Sequence, residues 1–334
     1  MHLSRRRLLT ILVVLSVVAV LVGLGTGSSR VDLGSLTAIF SGNPGNPDLE
    51  ILLRLRLPRI LAAFGTGAAL ALAGALMQVL LRNPLADPYV LGTSGGAAVA
   101  ALTAILLGAA GAVVDLAAFA GALLSTLLVF SLARGRSLWH DGRGYHGNDA
   151  GGRLLLTGIV VASGFGAVVS LLLAISPEAS LRGLLFWLMG DFSFVEHPAL
   201  VLLVAAVGTL VGLWLARTLN VLGTGDWQAM VLGVEVRRVR GIIYLVGALL
   251  TSVAVTTAGV VGFVGLIVPH FVRLAGGSDH RVVIPGSALA GGILLVIADT
   301  LARTLLAPRQ LPVGAITAAV GVPAFLYLLR RSLR

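Results

Sequence analysis

The chain has 334 residues, of which 57% are hydrophobic and only 11% charged, against roughly 25% charged in a soluble domain. With a mean hydropathy of +1.00 it cannot cover its own surface with polar groups in water, so lipid is its solvent. The lack of cysteine excludes disulfides, thiol catalysis and cysteine-based metal sites. The net charge of +10 comes from arginine alone, since the chain contains no lysine. Arginines set between apolar runs read as topology signals facing anionic lipid headgroups, not as a nucleic-acid footprint.

Backbone exposed to lipid must be helical or closed in a barrel, and a helix needs about 20 apolar residues to cross. Long continuous runs, not alternating segments, predict helices. Arg5, Arg6 and Arg7 precede an apolar run over 8–25, which is long for a cleaved leader and lacks an A-x-A site, so it reads as a retained first span. An outside loop is expected over 27–56. The second span is expected over 57–81, with Pro58 in its first turn, where the missing N–H costs nothing. Asn83-Pro84 and Asp87-Pro88 then force a turn, and spans follow over 91–110 and 113–133. The polar stretch 134–153 carries His140, Asp141, His146 and Asp149; two histidines six apart in a flexible loop make no metal site. Next come a span over 154–175, a short amphipathic piece over 181–189 lying on one surface, and a span over 199–216. A basic loop over 225–240 precedes spans over 242–257, 260–274, 283–306 and 312–329. The reading is an all-α polytopic membrane protein of about ten transmembrane helices, a single permease domain over 1–334.

Arginine tests this count. An even number of spans puts both termini on one side. Placing them in the cytoplasm leaves Arg30, Arg54, Arg56, Arg59, Arg182, Arg303 and Arg309 outside and the other seventeen inside, as the positive-inside rule requires. Many of the 43 glycines lie within spans, among them Gly65, Gly67, Gly95, Gly96, Gly262, Gly265, Gly291 and Gly292. Small residues let helix backbones approach where apolar side chains gain nothing by leaving lipid.

Three strings carry the most specific signal: RLRLPRILAAFGTGAALALAGALMQVLLRNPLADPYVLGTSGG over 54–96, GFVGLIVPHFVRLAGGSDHRVVIPGSALAGGILLVIADTLAR over 262–303, and QLPVGAITAAVGVPAFLYLLRR over 310–331. Together they resemble the FecCD-type permeases of ATP-binding cassette importers, which carry iron-siderophore complexes, haem and vitamin B12. The resemblance implies a BtuC-like type II importer fold and a non-catalytic transport subunit that binds no cofactor itself. ATP and Mg would sit on a partner ATPase. It further implies a homodimer in the bacterial cytoplasmic (inner) membrane, two ATPase subunits on the cytoplasmic side, and a periplasmic or lipid-anchored substrate-binding protein outside.

Site residues follow from the same resemblance. The loop over 225–240 matches the coupling helices that sit in a groove of the ATPase, which points to Asp226, Gln228, Ala229, Leu232, Gly233 and Arg237. Read without the resemblance, it is an ordinary basic inner loop. Arg56, Arg59 and Arg303 match arginines that pair with carboxylates of the binding protein, where the alternative is interfacial snorkelling. Arg182, Phe186 and Trp187 match an outer gate and path; the plain reading is an interfacial amphipathic helix. Gly151 and Gly152 stand at the inner gate, where vitamin B12 permeases carry a Thr-Ser pair.

Other functions leave weaker marks. Without lysine no P-loop of the form GxxxxGK[ST] can exist, so ATP hydrolysis needs a separate subunit. Gly92-Thr93-Ser94-Gly95 and His270 fit a rhomboid-like intramembrane protease on paper, although a small residue packing at a helix start is much the commoner case for Ser94, and the span count and the family string argue against proteolysis. An ion- or proton-coupled secondary transporter would need acids near the midplane. The spans offer chiefly Asp115 and Asp299, and the latter is expected to pair with Arg303 one turn on.

Overall fold

The computed structural model describes residues 4–27, 50–133, 147–193, 195 and 197–332. Among them the chain is all helical: α1 (Arg5–Gly25), α2 (Leu57–Leu80), α3 (Thr93–Leu106), α4 (Ala112–Ala133), α5 (Gly147–Ala174), α6 (Glu178–Met189), α7 (Ala199–Thr224), α8 (Asp226–Val231), α9 (Val236–Ala258), α10 (Val264–Gly276), α11 (His280–Thr304) and α12 (Val313–Ser332). Seven of the described helices are long and apolar enough to cross a bilayer, and three shorter apolar ones (Thr93–Leu106, Val264–Gly276 and Val313–Tyr327) fill the remaining expected crossings. The amphipathic piece appears as α6, and the basic loop contains the short α8.

The bundle is organised around α2, whose apolar stretch is 89% buried, and α11, α9, α7 and α10 pack around it. Glycine makes these contacts possible. A Cβ on Gly67 would overlap the Gly291 carbonyl, one on Gly74 the Gly265 carbonyl, and one on Gly96 the Gly121 carbonyl. Backbones therefore touch directly between α2 and α11, α2 and α10, and α3 and α4. Other helices remain on the outside: only 11% of the α5 span and 33% of the α1, α4 and α7 spans are buried.

Two expectations change. The chain before Pro58 is not all loop, because a wide π-type turn over Ile51–Arg56 runs straight into α2 and extends it to Ile51–Leu80. A wider turn suits a following proline, which cannot return a hydrogen bond to the turn before it. The third and eighth spans are shorter than their apolar runs because irregular backbone adjoins them. In the first of these segments Asp87 Oδ1 accepts from the Tyr89 N–H at 2.8 Å, Pro88–Leu91 makes one tight turn, and Gly92 ends it at φ 73°. The Tyr89 hydroxyl accepts from the Val261 N–H at 3.2 Å, tying that turn to the junction of α9 and α10. Non-helical backbone inside a bundle is tolerated when protein satisfies it in this way. His140 and His146 lie outside the described residues, as does the loop over 28–49.

Candidate functional site

Polar chemistry concentrates at the two ends of the bundle. At the end where α2 begins and α11 finishes, Arg59 grips Asp299 with two nitrogens: Nε lies 3.0 Å from Oδ1 and 3.1 Å from Oδ2, and Nη2 lies 2.8 Å from Oδ1. Arg303 Nε reaches the other side of the same carboxylate, 3.0 Å from Oδ2, which realises the expected one-turn pair. Arg59 Nη1 donates on to Ser193 Oγ at 3.2 Å and Gln310 Oε1 at 3.3 Å, and Ser193 Oγ lies 2.6 Å from Asp191 Oδ1.

The remaining arginine donors close the end of α1. Arg56 Nη1 donates to the Leu24 carbonyl at 2.7 Å, while Arg303 Nη2 lies 3.3 Å from the Gly23 carbonyl. These are last-turn carbonyls with no partner inside their own helix, where positive charge is favourable. Arg56, Arg59 and Arg303 are 5%, 8% and 6% exposed and Asp299 is 1% exposed. The three arginines expected to dock a partner are thus brought together, but buried and engaged within the chain. Arg54 and Arg309 stand exposed nearby. On α6, Arg182 is exposed with its guanidinium carbon 5.7 Å from the centre of the Phe186 ring. Phe186 and Trp187 are half-buried, and Gly259 packs directly on the Trp187 carbonyl.

At the opposite end, α8 lies across the bundle against α7 and α9. Its first residue, Asp226, turns inward. Arg240 of α9 straddles its carboxylate, with Nη2 3.1 Å from Oδ1 and 3.0 Å from Oδ2, and Arg82, just past α2, pairs with Oδ1. Ala229 is fully buried, so its small size seats α8 on the bundle instead of on a partner. Gly233 holds φ 82° in the turn that ends α8, a conformation that favours glycine. The outward face is apolar: Trp227, Met230, Val231 and Leu232 are 72%, 49%, 69% and 68% exposed. Gln228, Arg237 and Arg238 are exposed beside them. A groove of about 590 Å³ runs alongside, lined by Met230, Val234, Glu235, Val236, Arg237, Arg238 and Gly241.

Sequence reasoning missed Trp227 and Met230, although a tryptophan in a loop otherwise rich in arginine is a signal. It also missed Arg82 and Arg240, which had no local partner to betray them. Gly151 lies near the end of α2, where a Cβ would meet the Leu81 carbonyl at an ordinary 3.5 Å, and Gly152 faces open space. Asp279 caps α11: its Oδ1 accepts from the Asn220 amide at 2.8 Å and from the Arg281 N–H at 2.9 Å. Those hydrogen bonds, the Asn220 amide foremost, hold its carboxyl below the usual carboxylate range. Among the described residues Ser94 makes no hydrogen bond to His270.

A helical bundle with buried charge at both ends and an apolar helix displayed at one of them has the architecture of a membrane permease. The chain belongs to the FecCD transport family, whose model matches residues 12–331. It is 39% identical over 327 residues to the hemin transport system permease protein HmuU of Yersinia pestis, covering 95% of this chain and 94% of that one. It is 40% identical over 287 residues to the vitamin B12 import system permease protein BtuC of Salmonella paratyphi A, covering 84% of each. The fold matches a solved inward-facing ABC transporter provisionally assigned to the metal-chelate type, with a TM-score of 0.84, 28% identity, and coverage of 98% of this chain and 99% of that one. The chain is therefore a multi-pass membrane permease of the FecCD and BtuC type, a transport subunit and not an enzyme.

Proposed function

We propose that this permease imports an iron chelate, either a siderophore complex or haem, or vitamin B12, driven by a separate ATPase. The observation that carries the reading is α8. Three large apolar side chains stand exposed on a six-residue helix, a fourth (Leu232) follows at its end, and arginines lie at the rim. Such a surface is stable in water only when a partner covers it. The ATPase groove would take Trp227 and Leu232, with Gln228 and Arg237 at the edge; Asp226, Ala229 and Gly233 would position the helix from within.

The rest of the assembly follows. Two copies of this chain would flank the path, two ATPases holding ATP and Mg would sit below, and both termini would be cytoplasmic in the bacterial inner membrane. The sparse burial of α5 favours a second copy, since Gly164 and Gly166 face open space there. Arg182, Phe186 and Trp187 would form the outer gate and Gly151 and Gly152 the inner one. A periplasmic or lipid-anchored binding protein would dock at the Arg56, Arg59 and Arg303 end. Because Arg59 and Arg303 are buried on Asp299 and Arg56 on the end of α1, the binding protein's carboxylates would gain these guanidinia only by opening the cluster.

The test is reconstitution with the cognate ATPase and binding protein. Uptake of a siderophore complex, haem or cobalamin that requires ATP and is blocked by vanadate is the expected result. Uptake abolished by an uncoupler while ATP stays high would instead favour the ion-coupled transporter. No ATP-dependent uptake of any of the three would sink the proposal.

A further inference from the structure

We propose that the ion pair between Arg82 and Asp226, braced by Arg240, is the link through which movement of α8 reaches the central helix. The inference rests on the reading of α8 as the ATPase contact. A helix of six residues has no stability of its own, and the main body of α8 packs on α7 and α9, not on α2. What joins it to α2 is a side chain. Arg82 follows the last turn of α2 with its backbone at φ 48°, a conformation costly for a non-glycine residue, and its side chain pairs with Asp226 of α8.

The pairing is unequal. Asp226 brings one negative charge to two arginines, and the side chains of Asp226, Arg240 and Arg82 are 18%, 10% and 25% exposed. Arg240 sits on α9, which is separated from α8 by four residues, so its bond to Asp226 closes a local loop. Arg82 comes from 144 positions away in sequence and brings the long-range contact. From there the path continues through α2. Gln78, one turn before Arg82, donates to the Leu266 carbonyl at 3.1 Å and accepts from Arg273, both on α10. Leu81 lies against Gly151 of α5. A displacement of α8 that keeps the Arg82 pair intact must therefore move the end of α2, and with it the contacts to α10 and α5.

The geometry assigns the two arginines different roles. Removing Arg240 leaves a neutral pair and an intact link, while removing Arg82 leaves α8 held to α7 and α9 without its ion pair to the end of α2. The experiment uses the complete complex of permease and ATPase in nanodiscs, with a nitroxide on Leu85→Cys, which the cysteine-free chain permits. The readouts are ATPase rate and the change in nitroxide mobility when vanadate traps ADP after hydrolysis. Arg82→Gln is expected to keep ATPase association and hydrolysis largely unchanged while the nitroxide response falls by at least about fivefold, the lower end of ordinary coupling between sites. Arg82→Lys restores the response, and Arg240→Gln retains it.

A full response in Arg82→Gln overturns the link and leaves the coupling reading standing. Loss of ATPase association in Arg82→Gln and Arg240→Gln alike also overturns it, because the three charges would then be a staple of the fold. An unmutated chain that recruits no ATPase overturns the coupling reading and the link together.

Discussion

Asp299 illustrates how much rests on one buried charge. It is 1% exposed and is the shared counter-ion of Arg59 and Arg303. Replacing it with Asn leaves two buried guanidinia facing each other, and breaking a buried pair from one side costs about 3–5 kcal/mol. Thermal unfolding of the purified permease should show Asp299→Asn melting well below the unmutated chain; an unchanged midpoint would mean that the cluster is solvated. Asp279 offers a pH test. Its carboxyl is held below the ordinary range, so its contribution is complete above the unfolded value near pH 4 and lost as the pH falls through the lower folded value. The penalty for Asp279→Ala in unfolding midpoint should therefore be constant from about pH 5 to 8 and shrink in stronger acid. A penalty that grows on acidification would contradict that assignment.

Elements show where sequence and structure part. Apolar runs located the seven helices long and apolar enough to cross and the three shorter ones, and the i,i+4 relation of Asp299 to Arg303 was legible because it is local. Arg59 lies 240 positions from Asp299, and no periodicity reports a partner so distant. Pro58 correctly marked the first turn of α2, but its local rule gave no sign of the wide turn over Ile51–Arg56 that runs into it. Glycine was legible as a packing residue but not as a particular contact. Gly74→Ala would drive a methyl into the Gly265 carbonyl, whereas Gly152→Ala would meet nothing within 4 Å. The first should abolish the monodisperse folded protein in detergent chromatography and the second should leave it intact; equal behaviour would refute the close backbone approach of α2 and α10. On α8, Trp227 is 72% exposed and Trp227→Ala should leave the unfolding midpoint unchanged. It should nevertheless weaken ATPase binding by about 2 kcal/mol or more, roughly thirtyfold, as truncation of an interfacial anchor does.

At the scale of the whole molecule, the two ends divide the labour. One holds three buried arginines, two gripping an acid and the third closing the end of α1; the other displays an apolar helix clamped from beneath by an acid between arginines. The all-helical class and the family were both readable from the chain, because hydropathy and the three long strings span nearly all of it. The burial of the expected docking arginines was not, since only the folded bundle brings Asp299 and the end of α1 against them. Everything proposed about energy supply depends on α8 facing the cytoplasm. The direct measurement is labelling of Leu232→Cys, the only thiol in the chain, by a membrane-impermeant maleimide in right-side-out spheroplasts and in inverted vesicles. Labelling in inverted vesicles alone is the predicted result; labelling in intact spheroplasts would place this surface outside and contradict the account.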